Sequence, residues 1–139
     1  MCKKYRIGID AGGTKVAYGL FDADGQLLDR MQHPSDIHAD GPAFSDRMIE
    51  TIREIEEKHD LKNEDLQGIG ICMPSYILFD TGYVYLTSAL TNICDFPMKE
   101  YLQERLPGVK IVLDNDSNAA ALAEYRKGAG RGSRHMIYM

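Results

Sequence analysis

Two short stretches of this chain hold residue types that could do chemistry. The first is residues 8–15, "GIDAGGTK", which puts an acid, two adjacent glycines, a hydroxyl and a cation side by side. A P-loop needs G-x-x-x-x-G-K-[ST] running directly into a helix. Here Thr14 precedes Lys15 and the residues that follow favour a strand, so the P-loop reading fails on order and context. Glycines at a strand-to-strand turn have another use. They let backbone N–H groups face an anion with no Cβ in the way. Gly12 and Gly13 are placed for that, with the Thr14 hydroxyl and Lys15 ammonium available to phosphate oxygens. Asp10 cannot bind phosphate itself, but it can hold Mg²⁺ through water, since this ion keeps several of its waters. The same residues also read as a plain hairpin turn with an exposed acid and lysine. This stretch alone leaves both readings open.

The second stretch is "KIVLDNDSNAAALAE", in which Asp114, Asn115, Asp116 and Asn118 crowd the passage from a buried strand to a helix. In open α/β sheets, ligands sit where strands end and helices begin. A carboxylate at a helix N-terminus is favoured in its charged form. It could accept a proton from an attacking hydroxyl while Asn115 fixes the substrate. Asp, Ser and Asn are also the preferred N-cap residues, and one of these is a cap. Four together exceed what capping needs.

The elements that must position these clusters follow from periodicity. Tyr5 to Asp10 and Val16 to Phe21 read as strands, "DADG" as a turn, and Gln26 to Gln32 as a third strand, giving an antiparallel meander. Phe44, Met48, Ile52 and Ile55 share one face of a helix over 44–59, a scaffold element. "QGIGICMPS" is a short buried strand stopped by Pro74, and Tyr76 to Leu86, with "DTG", is a second hairpin. Pro97 to Leu106 is a short helix opened by proline. "KIVLD" is a strand and "SNAAALAEYRK" a helix ended by Gly128. The order predicts a three-layer α/β domain. "GAGRGSRH" is a glycine-rich linker, after which "HMIYM" begins a strand.

The 139 residues carry 44% hydrophobic residues and a net charge of −5, which argues against a nucleic-acid surface. No stretch has the apolar length to span a bilayer, and the N-terminus has no signal-peptide pattern. Cys2, Cys72 and Cys94 are odd in number and lack C-x-x-C spacing, so they read as reduced, small core residues of a cytoplasmic protein. The four histidines, at 33, 38, 59 and 135, show no metal spacing and are expected to face solvent. Tyr76, Tyr83 and Tyr85 are most simply strand residues, and some could rim a pocket.

A strand ending in D-x-G-G-T-K, a hairpin, "GIGICMPS", "DTG", a strand ending in N-D-x-N before "AAALAE", and "GAGRG" together resemble the ROK family (repressor, open reading frame, kinase) along nearly the whole chain. The resemblance implies a ribonuclease H-like, actin-like ATPase domain: an α/β fold whose mixed sheet has an antiparallel N-terminal meander and flanking helices. It implies ATP and Mg²⁺ as cofactors and a sugar as acceptor, usually at the C6 hydroxyl. Asp10 would serve the metal and phosphate region, and Gly12, Gly13, Thr14 and Lys15 would face the ATP phosphates. Asn115 and Asp116 would hold sugar hydroxyls, with Asp116 as the catalytic base. Ser75 replaces the family's glycine after proline, and Ala89 stands where the family has a sugar-contacting asparagine. Ser75, Tyr76 and Ser88 are therefore the remaining sugar contacts expected. "SALTNICDFPMKEYL" resembles the family's β-glucoside kinases more than its glucokinases. Residues 1–132 would form the N-terminal lobe and 133–139 the start of a second lobe, to which the family's zinc-binding cluster belongs. With ATP gripped between two lobes, the chain alone is expected to turn over little or no sugar. A non-catalytic sugar-sensing module is the alternative, disfavoured by the lack of a helix-turn-helix before Tyr5. A homodimer is left open.

Overall fold

The computed structural model describes residues 4–139; Cys2 lies outside them. The meander forms as expected, with β1 (Tyr5–Ala11), β2 (Lys15–Phe21) and β3 (Leu27–Pro34) pairing antiparallel in turn. Asp22 closes the β2–β3 turn by accepting from the Asp24 and Gln26 amides, and Gly25 supplies the positive φ of 83°. Helix α1 runs Gly41–Lys58, three residues earlier than its apolar period indicates. The Asp40 carboxylate caps it by accepting from the Ala43 amide at 2.9 Å, and Pro42 sits in its first turn. Then come β4 (Leu66–Met73), the hairpin β5 (Ser75–Leu78) and β6 (Tyr83–Thr87), a short β7 (Cys94–Phe96), α2 (Met98–Arg105), β8 (Lys110–Asn115) and α3 (Asp116–Lys127).

The main sheet has the order β3-β2-β1-β4-β8, with β4 parallel to both β1 and β8. The second sheet, β5-β6-β7, is antiparallel. Its third strand was absent from the sequence reading because three residues show no resolvable alternation.

Strand alternation divides the main sheet into two unlike faces. Ile7, Ile9, Leu20, Ile69, Ile71, Ile111 and Leu113 point into a core closed by Phe44, Met48, Ile52 and Ile55 of α1 and Met98 and Leu102 of α2. The opposite face carries Gly8, Asp10, Ala17, Gly70, Cys72 and Asp114 along a groove of about 660 Å³. Gly19, Gly8 and Gly70 pair in one row across three strands, so its floor is bare backbone. Helix α3 packs against β8 and β4 but buries no residue completely. The expected third layer is therefore only a flank. Residues 135–139 adopt no regular structure, contrary to the expected strand. A strand needs a neighbour for its N–H and C=O groups, and these residues have no pairing.

Candidate active site

The carboxyl ends of the three parallel strands lie along one edge. The pairings Asp10↔Cys72 and Cys72↔Asp114 set these residues in a row on the open face of β1, β4 and β8. Asp116 follows two residues on, at the first position of α3. Asp10, Cys72 and Asp116 line a single recess, with Ser117, Ala119, Ala120 and Tyr138 completing it. Asp10 of the first cluster and Asp116 of the second thus meet in one recess.

Cys72 was expected in the core. It is half-buried in the middle of the site, and Cys94 is exposed. The signal was present: Ile69, Ile71 and Met73 alternate inward, which leaves Cys72 on the other face. Its thiol donates to Asp10 Oδ1 at 3.7 Å. Burial pushes the thiol up to about 12, and the carboxylates of Asp10, Asp116 and Asp114 add to the rise. It is a neutral thiol among acids.

The glycine loop is tied down on two sides. The Gly12 amide donates to the Lys15 carbonyl at 3.0 Å. That N–H closes the turn and does not face an anion, which corrects the expectation for Gly12. Ser35 holds the loop from β3's end, its hydroxyl donating to the Gly12 carbonyl at 2.6 Å and its amide to the Thr14 carbonyl at 3.0 Å. A Cβ on Gly13 would lie 2.7 Å from that of Ala89, so Gly13 is required by close approach of the loop after β6. The Thr14 and Lys15 side chains are exposed beside it.

Asn115 does two structural jobs. Its Oδ1 accepts from the Ser117 amide at 2.9 Å, capping α3, and its Nδ2 donates to the Ser75 carbonyl at 2.8 Å. Capping and site geometry are the same residue's work. Asp116 Oδ1 accepts from the Ser117 amide at 2.9 Å. Asp114 Oδ1 accepts from the Asn115 amide and from Asn118 Nδ2. The Ser75 hydroxyl donates to the Met73 carbonyl at 2.9 Å, where the chain passes from β4 into the hairpin. Ser88, exposed, donates its amide to the Pro74 carbonyl at 3.0 Å, and Tyr76 is exposed beside Ser75.

Two histidines depart from expectation. His33 Nδ1 donates to the Pro34 carbonyl, which leaves Nε2 to accept from the Tyr18 hydroxyl at 2.9 Å. His59 pairs with Asp29 at 2.7 Å. No group of three or more His, Cys, Asp or Glu that could hold a metal is found among the described residues. No helix among them is long and apolar enough to cross a membrane.

A five-stranded mixed sheet of this order, with acids at the carboxyl ends of its parallel strands, is the actin-like ATPase lobe. The chain belongs to the ROK family, whose model matches residues 6–139. It is 33% identical to a glucokinase of Halalkalibacterium halodurans over 99% of this chain and 41% of that protein. It is 31% identical to a glucokinase of Streptomyces coelicolor over 94% and 38%, and 29% identical to the xylose repressor of Bacillus subtilis over 97% and 34%. The chain spans about two-fifths of the length of the curated glucokinases it matches. Among solved structures, a ROK family glucokinase from Streptomyces griseus in complex with glucose and AMPPNP superposes with a TM-score of 0.73 at 31% identity, covering 92% of this chain and 38% of that one. A ROK family transcriptional regulator shares the fold at a TM-score of 0.75 and 19% identity, covering 87% and 30%. The family thus includes both sugar kinases and regulators.

Proposed function

We propose that this chain is the N-terminal lobe, residues 1–132, of an ATP-dependent sugar kinase, with 133–139 leading into a second lobe. The observation that carries the reading is the single recess shared by Asp10 and Asp116. Asp116, at the start of α3, is placed to take the proton of the attacking sugar hydroxyl, that on C6 of a hexose. Asn115 keeps one amide N–H beyond its bond to Ser75 and can offer it to a sugar hydroxyl. In the loop after β1, exposed Thr14 and Lys15 offer a hydroxyl and a cation to phosphate oxygens, with Gly13 beside them. The fit for magnesium rests on Asp10 and Asp114, hard oxygen donors at the strand ends that suit an ion keeping its waters. Mg²⁺ entering with the nucleotide supplies charge neutralisation at the transferring phosphoryl group. Cys72, held neutral, adds no charge between the acids. ATP use is supported by the AMPPNP-bound relative.

The test is Asp116→Asn in a protein of the relatives' full length that carries these residues. Its kcat for sugar phosphorylation should fall by about a thousandfold. Retention of most of kcat would remove Asp116 as the base. The 139-residue chain alone should give no turnover in a coupled assay. The repressor relatives support a second reading, a sugar-sensing lobe without chemistry. In that case sugar binds and no phosphorylation occurs at any length.

A further inference from the structure

We infer that Ser35 is a positioning residue for the nucleotide: it sets the direction of the Gly13 N–H, and so how firmly the glycine loop holds phosphate. The inference deepens, and rests on, the reading above that Thr14 and Lys15 meet phosphate oxygens.

Ser35 is the first residue past β3, and it reaches the glycine loop twice. Its hydroxyl donates to the Gly12 carbonyl at 2.6 Å and its amide to the Thr14 carbonyl at 3.0 Å. These two acceptors flank Gly13. In a trans peptide the C=O and N–H point in opposite directions. No cis bond occurs among the described residues. With the Gly12 carbonyl turned to Ser35, the Gly13 N–H is turned away from it. That amide has no hydrogen-bond partner among the described residues. Successive N–H groups left open in a turn suit an anion. Two adjacent glycines would otherwise sample many peptide orientations. The Ser35 hydroxyl selects one of them before a ligand arrives, which spares the ligand the cost of ordering the loop.

Ser35 can do this because its own backbone is fixed at both ends. Pro34 pairs with Lys15 at the end of the β2–β3 ladder, and its ring restricts φ. The His33 ring binds the Pro34 carbonyl and the buried Tyr18 hydroxyl, tying the segment to the sheet. Beyond Ser35, Asp36 Oδ1 accepts from the His38 amide, and the His38 carbonyl accepts from Asn92 Nδ2 at 2.8 Å. Asn92 belongs to the loop after β6, which Thr87 and Leu90 fasten by a reciprocal pair of bonds. The same loop brings Ala89 against Gly13. The glycine loop is thus held between two segments that are joined to each other.

The test uses a protein of the relatives' full length that carries these residues, titrated calorimetrically with AMPPNP and Mg²⁺ and separately with glucose. Ser35→Ala should weaken AMPPNP about fivefold, the effect of one hydrogen bond, and leave glucose within about twofold. Ser35→Thr, which keeps the hydroxyl, should bring AMPPNP affinity back to within about twofold. In turnover, Ser35→Ala should raise the KM for ATP and leave that for glucose unchanged. Asn92 is exposed, and Asn92→Ala should weaken AMPPNP about threefold by releasing the outer segment. It decides alone if circular dichroism shows Ser35→Ala to be unfolded. Unchanged AMPPNP affinity in the folded variant, a loss that Ser35→Thr does not restore, or an equal loss for glucose overturns the assignment. If AMPPNP binds but no hexose is phosphorylated, the kinase reading falls and the same titration still judges Ser35. If the unsubstituted protein does not bind AMPPNP, both fall.

Discussion

The cysteine at the centre of the site has a testable signature. With its thiol pushed up to about 12 by burial and three carboxylates, Cys72 holds almost no thiolate near neutrality. Iodoacetamide at pH 8 should therefore modify exposed Cys94 at least about tenfold faster than Cys72, as read by peptide mass mapping. Equal rates would mean that the acids do not surround the thiol. Sequence reasoning singled out Asp10, Asn115 and Asp116 as candidates because acids and amides at strand ends stand out by type. It misassigned Cys72, because a small thiol is at home in a core as well as in a cleft. It also gave Gly12 a ligand's role, when the amide's partner is the Lys15 carbonyl three residues on. Such a bond belongs to the turn's geometry and has no mark in residue type.

At the level of elements, Asn115 joins α3 to the hairpin. Asn115→Ala removes a cap and the bond to the Ser75 carbonyl and should cost about 2 kcal/mol in urea denaturation. Asn115→Ser keeps a capping hydroxyl and should cost about half as much; equal losses would assign the whole effect to the Ser75 tie. A second joint links β3 to the end of α1. The Asp29 carboxylate accepts from His59 and Lys58, each at 2.7 Å, and these two bonds, His59's first, hold it well below the usual carboxylate range. A carboxylate lowered on folding contributes stability above its unfolded value, about pH 4, and loses it as pH falls further. The stability gap between the unsubstituted chain and Asp29→Asn should thus be present at pH 6 and shrink below pH 4. A gap independent of pH would remove the ion pair as its cause. The helix and the longer strands were legible from period alone. The Asp40 cap was missed because Gly41 and Pro42 look like loop until the Asp40 carboxylate is seen to accept from the Ala43 amide.

For the molecule as a whole, the decisive feature is the unequal covering of the sheet. A Cβ on Gly70 would meet nothing within 4 Å, and its φ is not positive. Gly70→Ala should therefore raise the urea midpoint slightly, by about 0.5 kcal/mol, since alanine restricts the unfolded chain more than glycine does. A clear loss of stability would show the groove to be closed in solution. By itself the sequence determined the meander, the apolar face of α1 and the residue types of the two candidate clusters, because these depend on hydrogen bonds and apolar spacing within a few residues. Only the tertiary structure decided that β4 enters between β1 and β8, and so that Asp10, Cys72 and Asp116 share one recess while one face of the sheet stays open. Strand order is set by how distant segments bury apolar surface against each other, and that long-range balance leaves no local pattern in the chain.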